Sequence, residues 1–528
     1  MSAPGVDRVF ERRLAALSNS REQQLLAHGS RGLERESLRV TPDGRIAQTP
    51  HPPALGSALT NPHITTDYSE ALTELVTPTF PDNESLLGYL LDLHRFVYRN
   101  IGDELLWATS MPCELRDEDE VPIARYGKSH QGRLKYIYRH GLKVRYGGMM
   151  QAISGVHFNY SLPESFWPLY AQFCQSHQSD QGFRSARYFD LLRNYRRHGW
   201  IVSYLFGASP ALCRSFLQGR SDDGLEALGA DTLIGRYATS LRMSDIGYRN
   251  RNQAAASVSV NSLEEYLRDL RRAIRAPHAP FAALGERRDG EYQQLSANLL
   301  QIENEYYSYV RPKRTLRAGE RTSGALARRG VEYVEVRALD NSAFDPVGVN
   351  ACKLHFLEAL LIVLLFKSSA PIEPGEEAAI ERNHLSVARR GRDPQLMLER
   401  DGRRVSLRSW SAELLDSMQG ICELLDSVCP QRPYVAALRD QQRKLEDVER
   451  TPSARLLREL REHEQSFPAL ALRVSREHKQ YCLQQLPFAA ERAREFEAEA
   501  QQSLQEFAAI EVSSRGSFED YLAKYLAD

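Results

Sequence analysis

The segment RGLERESLRV (31–40) sets Glu34 and Glu36 two positions apart inside a short apolar run. On a strand they share one face, about 6.5–7 Å apart. Like charges held that close are costly unless something neutralises them. Other acidic segments repeat the pattern. VEYVEVRALD (331–340) alternates Val334, Val336 and Ala338 with Tyr333, Glu335 and Arg337. GVHFNYSL (155–162) puts Val156, Phe158 and Tyr160 on one side and His157 and Asn159 on the other. QIENEYYSYV (301–310), read as a strand, groups Glu303, Glu305 and Tyr307, and TTDYSEALTELVTP (65–78) adds Asp67 and Glu74.

One acidic pair is compatible with a glycosidase. Several acidic strands meeting in one cleft would repel each other without cations. Mg²⁺ or Mn²⁺ prefers carboxylate oxygens, with an occasional imidazole for Mn²⁺, and such ions bridge polyphosphate oxygens in phosphoryl transfer. The basic run RPKR supplies Arg311, Lys313 and Arg314 as candidates for nucleotide phosphate. There is no GxxxxGK[ST] and no GxGxxG after a strand, so the pattern fits an ATP-using enzyme without a Gly-rich loop. The bland reading stays beside it. Any one such strand is equally a wet sheet face, His157 alone a hydrogen-bonded structural histidine, and RPKR alone a solvated basic turn. YRRHGW (195–200) and ARRGRD (388–393) are read as solvated outright, and Arg242 in TSLRMSDIGY as a carboxylate clamp or a surface residue.

The elements that must position these groups are strands before residue 345 and helices throughout. Alternation, rather than smooth Val/Ile runs, predicts an antiparallel sheet with an apolar back and a polar working face. PDNESLLGYLLDLHRFVYRN is a capped helix, Ser262 to Glu265 forms a capping box, and Thr451-Pro452 starts another helix. Beyond about residue 375 the pattern is almost wholly helical. The expected architecture is α+β, with a catalytic body over 1–375 and a helical C-terminal region over 376–528 packed on it.

A net charge of −1 over 528 residues offers no field for nucleic acid or anionic lipid. The start reads as an amphipathic helix with no signal-peptide core, and FLEALLIVLLF (356–366) is interrupted by Glu358 and too short to span a bilayer. Seven cysteines without CxxC spacing suggest cytosolic thiols, with a Cys113–Cys174 pair left open.

Taken in order, RGLERESLRV, HPPALGSALTNPHITTDYSEALTELVTP, QGRLKYIYRHGLKVRYGGMMQAISGVHFNYSLP, WIVSYLFGASPALC, YATSLRMSDIGY, LQIENEYYSYVRPKR and GVEYVEVRALD closely resemble the proteobacterial type of glutamate–cysteine ligase. The resemblance is dense from about residue 25 to 350. It implies a glutamine-synthetase-like fold, a curved, mainly antiparallel sheet forming a funnel backed by helices. It also implies ATP-dependent ligation of the glutamate γ-carboxylate to the cysteine amine, the first step of glutathione synthesis. The implied metal ligands are Glu34, Glu36, Asp67, Glu74, His157 and Glu335. The implied substrate contacts are Tyr68, Tyr138, Arg139, Leu142, Gln151, Arg242, Tyr248, Tyr307 and Arg337, with Arg242 and Arg337 as catalytic arginines. Tyr68 stands where the family usually has phenylalanine, and QIENEYYSY replaces an ENELYAP-like run. A cytoplasmic monomer using ATP with Mg²⁺ or Mn²⁺, and subject to glutathione feedback, completes the expectation. The rivals are a ligase with another amine acceptor, a non-catalytic metal-binding interaction protein, and an acidic-pair hydrolase.

Overall fold

The computed structural model describes residues 7–177, 180–219, 224–247, 256–317, 319–484 and 488–527. Its centre is a seven-stranded sheet: β1 (Ser30–Val40), β2 (Ile64–Thr66), β3 (Leu72–Val76), β4 (Leu105–Leu106), β5 (Val156–Ser161), β6 (Val310–Lys313) and β7 (Tyr333–Leu339). The order is β6-β7-β5-β1-β3-β2, with β4 pairing the far end of β1, and every pairing is antiparallel. A register shift between Val336 and Leu339 marks an irregularity of the bulge type in β7, which pairs with β5 on both sides of it.

The helices used below are α1 (Arg8–Ser18), α2 (Asn83–Asn100), α3 (His130–Tyr146), α4 (Ala351–Phe366), α5 (Pro433–Glu446), α6 (Ala490–Ser513) and α7 (Phe518–Ala527). Their starts follow local chemistry. Asp82 caps α2 by accepting from the Ser85 N–H, and Ser129 caps α3 by accepting from the Gly132 N–H. Of the capping box expected at Ser262 only the N-cap half forms: its hydroxyl accepts the Glu265 N–H at 3.1 Å, while the Glu265 carboxylate accepts from the Ser259 hydroxyl at 2.6 Å instead of reaching back.

Alternation sends Leu33, Val156, Phe158, Tyr160, Val334 and Val336 to the sheet's back, all buried. There they meet α2 and α4, in one apolar cluster that runs from Phe10 on α1 to Phe496 on α6. FLEALLIVLLF is thus a core helix, and no helix among the described residues is long and apolar enough to cross a membrane. Glu358 lies fully buried within it. It takes the Arg31 guanidinium through both oxygens, with Nε to Oε2 at 3.0 Å, and accepts from the Tyr434 hydroxyl on α5 at 3.0 Å. Removing one partner of such a pair strands the other charge. Glu358→Ala is therefore expected to cost about 3–5 kcal/mol in urea unfolding, and joint replacement by Arg31→Met and Glu358→Leu to recover most of it.

Several expectations need correction. QIENEYYSYV is not a strand. Glu303–Glu305 forms a 3₁₀ turn, and pairing begins only at Val310, because Glu303 and Glu305 are pulled to different partners, Arg321 and Arg145. The helical C-terminal stretch is interrupted by a hairpin, Met397–Arg400 with Arg403–Ser406. YRRHGW and ARRGRD are only partly solvated: Arg390 is exposed, but other arginines of the two runs are not. Arg196 is buried against Glu377 and Glu381, and Arg392 is buried with its guanidinium donating to the Arg236 carbonyl at 2.6 Å. All seven cysteines are free, with Cys113 and Cys174 in different apolar clusters.

Histidines packed into this core are kept neutral. Burial, reinforced by Arg39, Arg31 and Arg35 respectively, lowers His51, His355 and His478 to about 4; burial and Lys367 lower His198 to about 3. Burial and Arg35 hold His94 well below its ordinary range. Unfolded, each takes up a proton below about pH 6.5. Their contribution is intact above that pH and is lost as pH falls toward 4, by about 1.4 kcal/mol per pH unit for each fully buried ring. Thermal melts at pH 7.5 and 5.0 should show a marked drop in Tm; coincident melts would mean the rings are already charged in the fold.

Candidate active site

The opposite face of the sheet carries the acidic groups, and cross-strand register brings them together. Glu36 on β1 lies directly opposite Glu74 on β3, and Glu34 opposite His157 on β5. Glu335 on β7 sits opposite Asn159 and, on its other side, Arg311. The His157 ring is the hub. Its Nδ1 is 3.0 Å from Glu34 Oε2 and 3.9 Å from Glu335 Oε1, and its Nε2 is 3.6 Å from Glu36 Oε1. Asn159 donates to the second Glu34 oxygen at 2.9 Å, and the Gly155 N–H donates to Glu36 at 2.8 Å. Glu34, Glu74 and His157 each offer a ligand atom within 4.8 Å of the others, a spacing that could hold a metal ion.

The electrostatics divide the cluster in two. For Glu335, burial raises the pKa, but Lys313, Arg337 and His157 outweigh it and hold the carboxyl well below the usual range. Lys313 Nζ is 3.1 Å and Arg337 3.2 Å from its two oxygens. Against the cost of burial, Glu335 and Glu34 lift Lys313 to about 12. Glu34 is lowered too, since its His157 bond and Lys313 overcome burial and the Glu335 charge. On the other side, burial and then Asp67, Glu34 and Glu36 push Glu74 well above the carboxylate range. Burial also raises Glu36; His157 opposes the rise and Asp67 adds to it. The Glu74 carboxylate makes no hydrogen bond among the described residues. This unrelieved anionic half, all hard oxygen beside one imidazole, suits a divalent cation.

Next to it a cavity of about 120 Å³ opens. Glu36 and Asp67 line it together with Tyr68, Tyr138, Arg139, Leu142, Gln151, Tyr307 and Arg337, so the structure brings these candidates to one wall. That size is below the roughly 300–1,000 Å³ of drug-sized sites and suits a small ligand. Three wall residues were missed by the sequence reading, Tyr146, Met150 and Asn304, while Glu305 was grouped with Tyr307 but given no place in the site. Tyr146 was findable, because 138, 142 and 146 form an i, i+4, i+8 stripe on α3. Glu305 is held by Arg145 at 2.8 Å and by the Tyr146 hydroxyl at 2.7 Å.

Other candidates lie elsewhere. Of RPKR, Arg311 lines the cavity and Lys313 faces the carboxylates, but Arg314 turns to Glu332 and the Arg329 carbonyl. Adjacent strand residues point to opposite faces, so the three cannot act as one cluster. Arg242 is buried outside the cavity wall. It donates to the Arg337 carbonyl at 3.0 Å and packs so tightly on Gly155 that a Cβ there would stand 2.1 Å from it. Tyr248 lies outside the described residues.

The polar face of the sheet thus gathers carboxylates beside a small cavity. The glutamate–cysteine ligase family model matches residues 14–387. The chain is 49% identical over 522 residues to glutamate–cysteine ligase of Azotobacter vinelandii and 48% over 519 residues to that of Pseudomonas aeruginosa, each match covering 98% of both chains. The crystal structure of glutamate–cysteine ligase from Francisella tularensis in complex with AMP superposes with a TM-score of 0.89 at 35% identity, covering 95% of this chain and 98% of that one. A bifunctional glutathione synthetase from Pasteurella multocida shares the fold, with a TM-score of 0.71 at 22% identity. The chain belongs to the glutamate–cysteine ligase family.

Proposed function

We infer that this protein joins the γ-carboxylate of L-glutamate to the amine of L-cysteine at the expense of ATP, giving γ-glutamylcysteine, ADP and phosphate. The observation that carries this reading is the carboxylate–imidazole cluster beside a small cavity whose wall includes Glu36, Asp67, Arg311 and Arg337. A carboxylate is a poor electrophile, so it must be activated. A γ-carboxylate oxygen attacks the γ-phosphorus of ATP and ADP leaves; the cysteine amine then attacks the acyl carbon, and phosphate leaves as the amine gives up a proton.

This chain's residues bind, orient and neutralise. Glu34, Glu74 and His157, with Glu36, Asp67 and Glu335 around them, would hold Mg²⁺ or Mn²⁺. When bound, such an ion neutralises phosphate oxygens and the charge developing on them. Arg337 presents a fixed positive charge in the cavity wall, and Lys313 keeps Glu335 ionised. Tyr138, Leu142 and Tyr307 enclose the acceptor and exclude water. Arg242 acts from behind by fixing the backbone of Arg337. A catalytic body over 1–375 carrying a helical region over 376–528, a cytoplasmic monomer and feedback by glutathione belong to the same proposal; the free cysteines support the compartment.

The test is phosphate release from ATP with glutamate alone and with cysteine, 2-aminobutyrate, glycine or putrescine added. Turnover should require glutamate plus an amine, with cysteine preferred over 2-aminobutyrate. Preference for putrescine or glycine would assign another acceptor, and release without glutamate would end the ligase reading.

A further inference from the structure

The last helix of the chain touches both walls of the acceptor cavity from outside. On α7, Phe518, Tyr521, Leu522 and Tyr525 repeat at helical spacing, and Phe518 and Leu522 are buried. They share an apolar cluster with Leu134 and Ile137 of α3 and with Leu295 and Ile302 of the segment that runs into Asn304, Glu305 and Tyr307. Arg133 of α3 stacks over the Phe518 ring at 4.4 Å. On the second wall, Arg321 ties Glu303 to the tail: it donates to Glu303 at 3.1 Å and to the Tyr525 carbonyl at 3.0 Å.

A second set of bonds reaches the start of α3. The Glu511 carboxylate at the end of α6 accepts the N–H groups of Lys128 at 2.9 Å and Ser129 at 2.7 Å, and the Ser514 hydroxyl accepts the His130 N–H at 2.9 Å. These are N–H groups that the helix leaves without intrahelical partners. The α3 residues used by the tail (130, 133, 134, 137) lie on a face adjacent to the one that lines the cavity (138, 142, 146).

We propose that residues 511–527 are a positioning strap that sets the separation of α3 from the 295–307 segment, and so the affinity for the acceptor amine. The inference rests on the ligase reading for the identity of that amine. Among the described residues, the strap's cluster and hydrogen-bond partners given above lie on α3 or at its start and in the 295–321 region, and not on the metal-cluster strands β1, β3, β5 and β7, so the effect falls on one substrate.

The experiment is initial-rate kinetics on full-length Leu522→Asp, Glu511→Ala and Leu522→Met, varying cysteine, glutamate and ATP in turn, with hydrogen exchange read over 130–146. Leu522→Asp and Glu511→Ala should raise KM for cysteine about tenfold or more, leave KM for glutamate and ATP within about twofold, and speed exchange in α3. Leu522→Met should restore both readouts. An unchanged cysteine KM despite faster α3 exchange, or an equal rise in all three KM values, overturns the proposal. If Leu522→Asp does not fold, Glu511→Ala, which removes only hydrogen bonds at a partly exposed edge, decides alone. Failure of the ligase reading is seen separately, as wild-type phosphate release that is indifferent to cysteine.

Discussion

Glu74→Gln is expected to abolish ligation and, without divalent ions, to melt at a higher temperature than the unmodified protein. Both effects have one cause. The Glu74 carboxylate is pressed between burial and the charges of Asp67, Glu34 and Glu36, and it lacks a protein hydrogen bond among the described residues. A carboxyl raised in the fold favours the protonated form. Its contribution to stability is therefore present below the unfolded value near 4.5 and lost as pH rises through the folded one. At pH 7.5 the neutral amide removes that penalty, and the advantage should vanish as pH falls to 4.5. The same amide is a weaker ligand for a hard cation, so kcat should drop about 10²–10³-fold. With Mg²⁺ added the order reverses, since ligand at 100 times Kd stabilises the unmodified protein by about 2.7 kcal/mol. Melts in EDTA and in Mg²⁺ test this; a variant that stays active, or melts lower in EDTA, refutes the assignment.

Arg337→Met is the second large effect, and it separates chemistry from binding. Burial lowers the arginine's pKa, but Glu335, Glu36, Tyr307 and Glu34 raise it well above its ordinary value, so its charge is permanent. It lines the cavity within 3.2 Å of Glu335. A fixed charge in the cavity wall acts most where negative charge develops, so kcat should fall about 10²–10³-fold with a smaller rise in the KM values. Glu335 keeps Lys313, so the fold should persist. Arg337→Lys keeps the charge without the planar fork and should lie between the two. Equal loss in KM for ATP and glutamate with kcat unchanged would make Arg337 a binding residue only.

The site was legible where chemistry follows strand period. A two-residue repeat is enough to place Glu34 with Glu36, His157 with Asn159, and Glu335 with Arg337 on a polar face, and the folded sheet keeps each pair there. The same rule separates Lys313 from Arg314, which the basic run had suggested as one cluster. QIENEYYSYV misled for a tertiary reason: its aromatic alternation resembles a strand, but Arg145 and Arg321 draw its glutamates apart into a turn. The buried arginines of YRRHGW were misread because their acidic partners lie about 180 residues away in the chain.

By itself the sequence determined the inventory: which residue types alternate, which runs are helical, and, through ordered motifs, which ligase family they resemble. Only the tertiary structure decided that Glu74 faces Glu36, that His157 stands among three carboxylates, and that α7 packs against α3 and the 295–302 segment. Periodicity is set by local backbone geometry and can be read along one strand. Register and helix docking depend on side chains far apart in the chain filling the same space, and that information appears only when the elements pack.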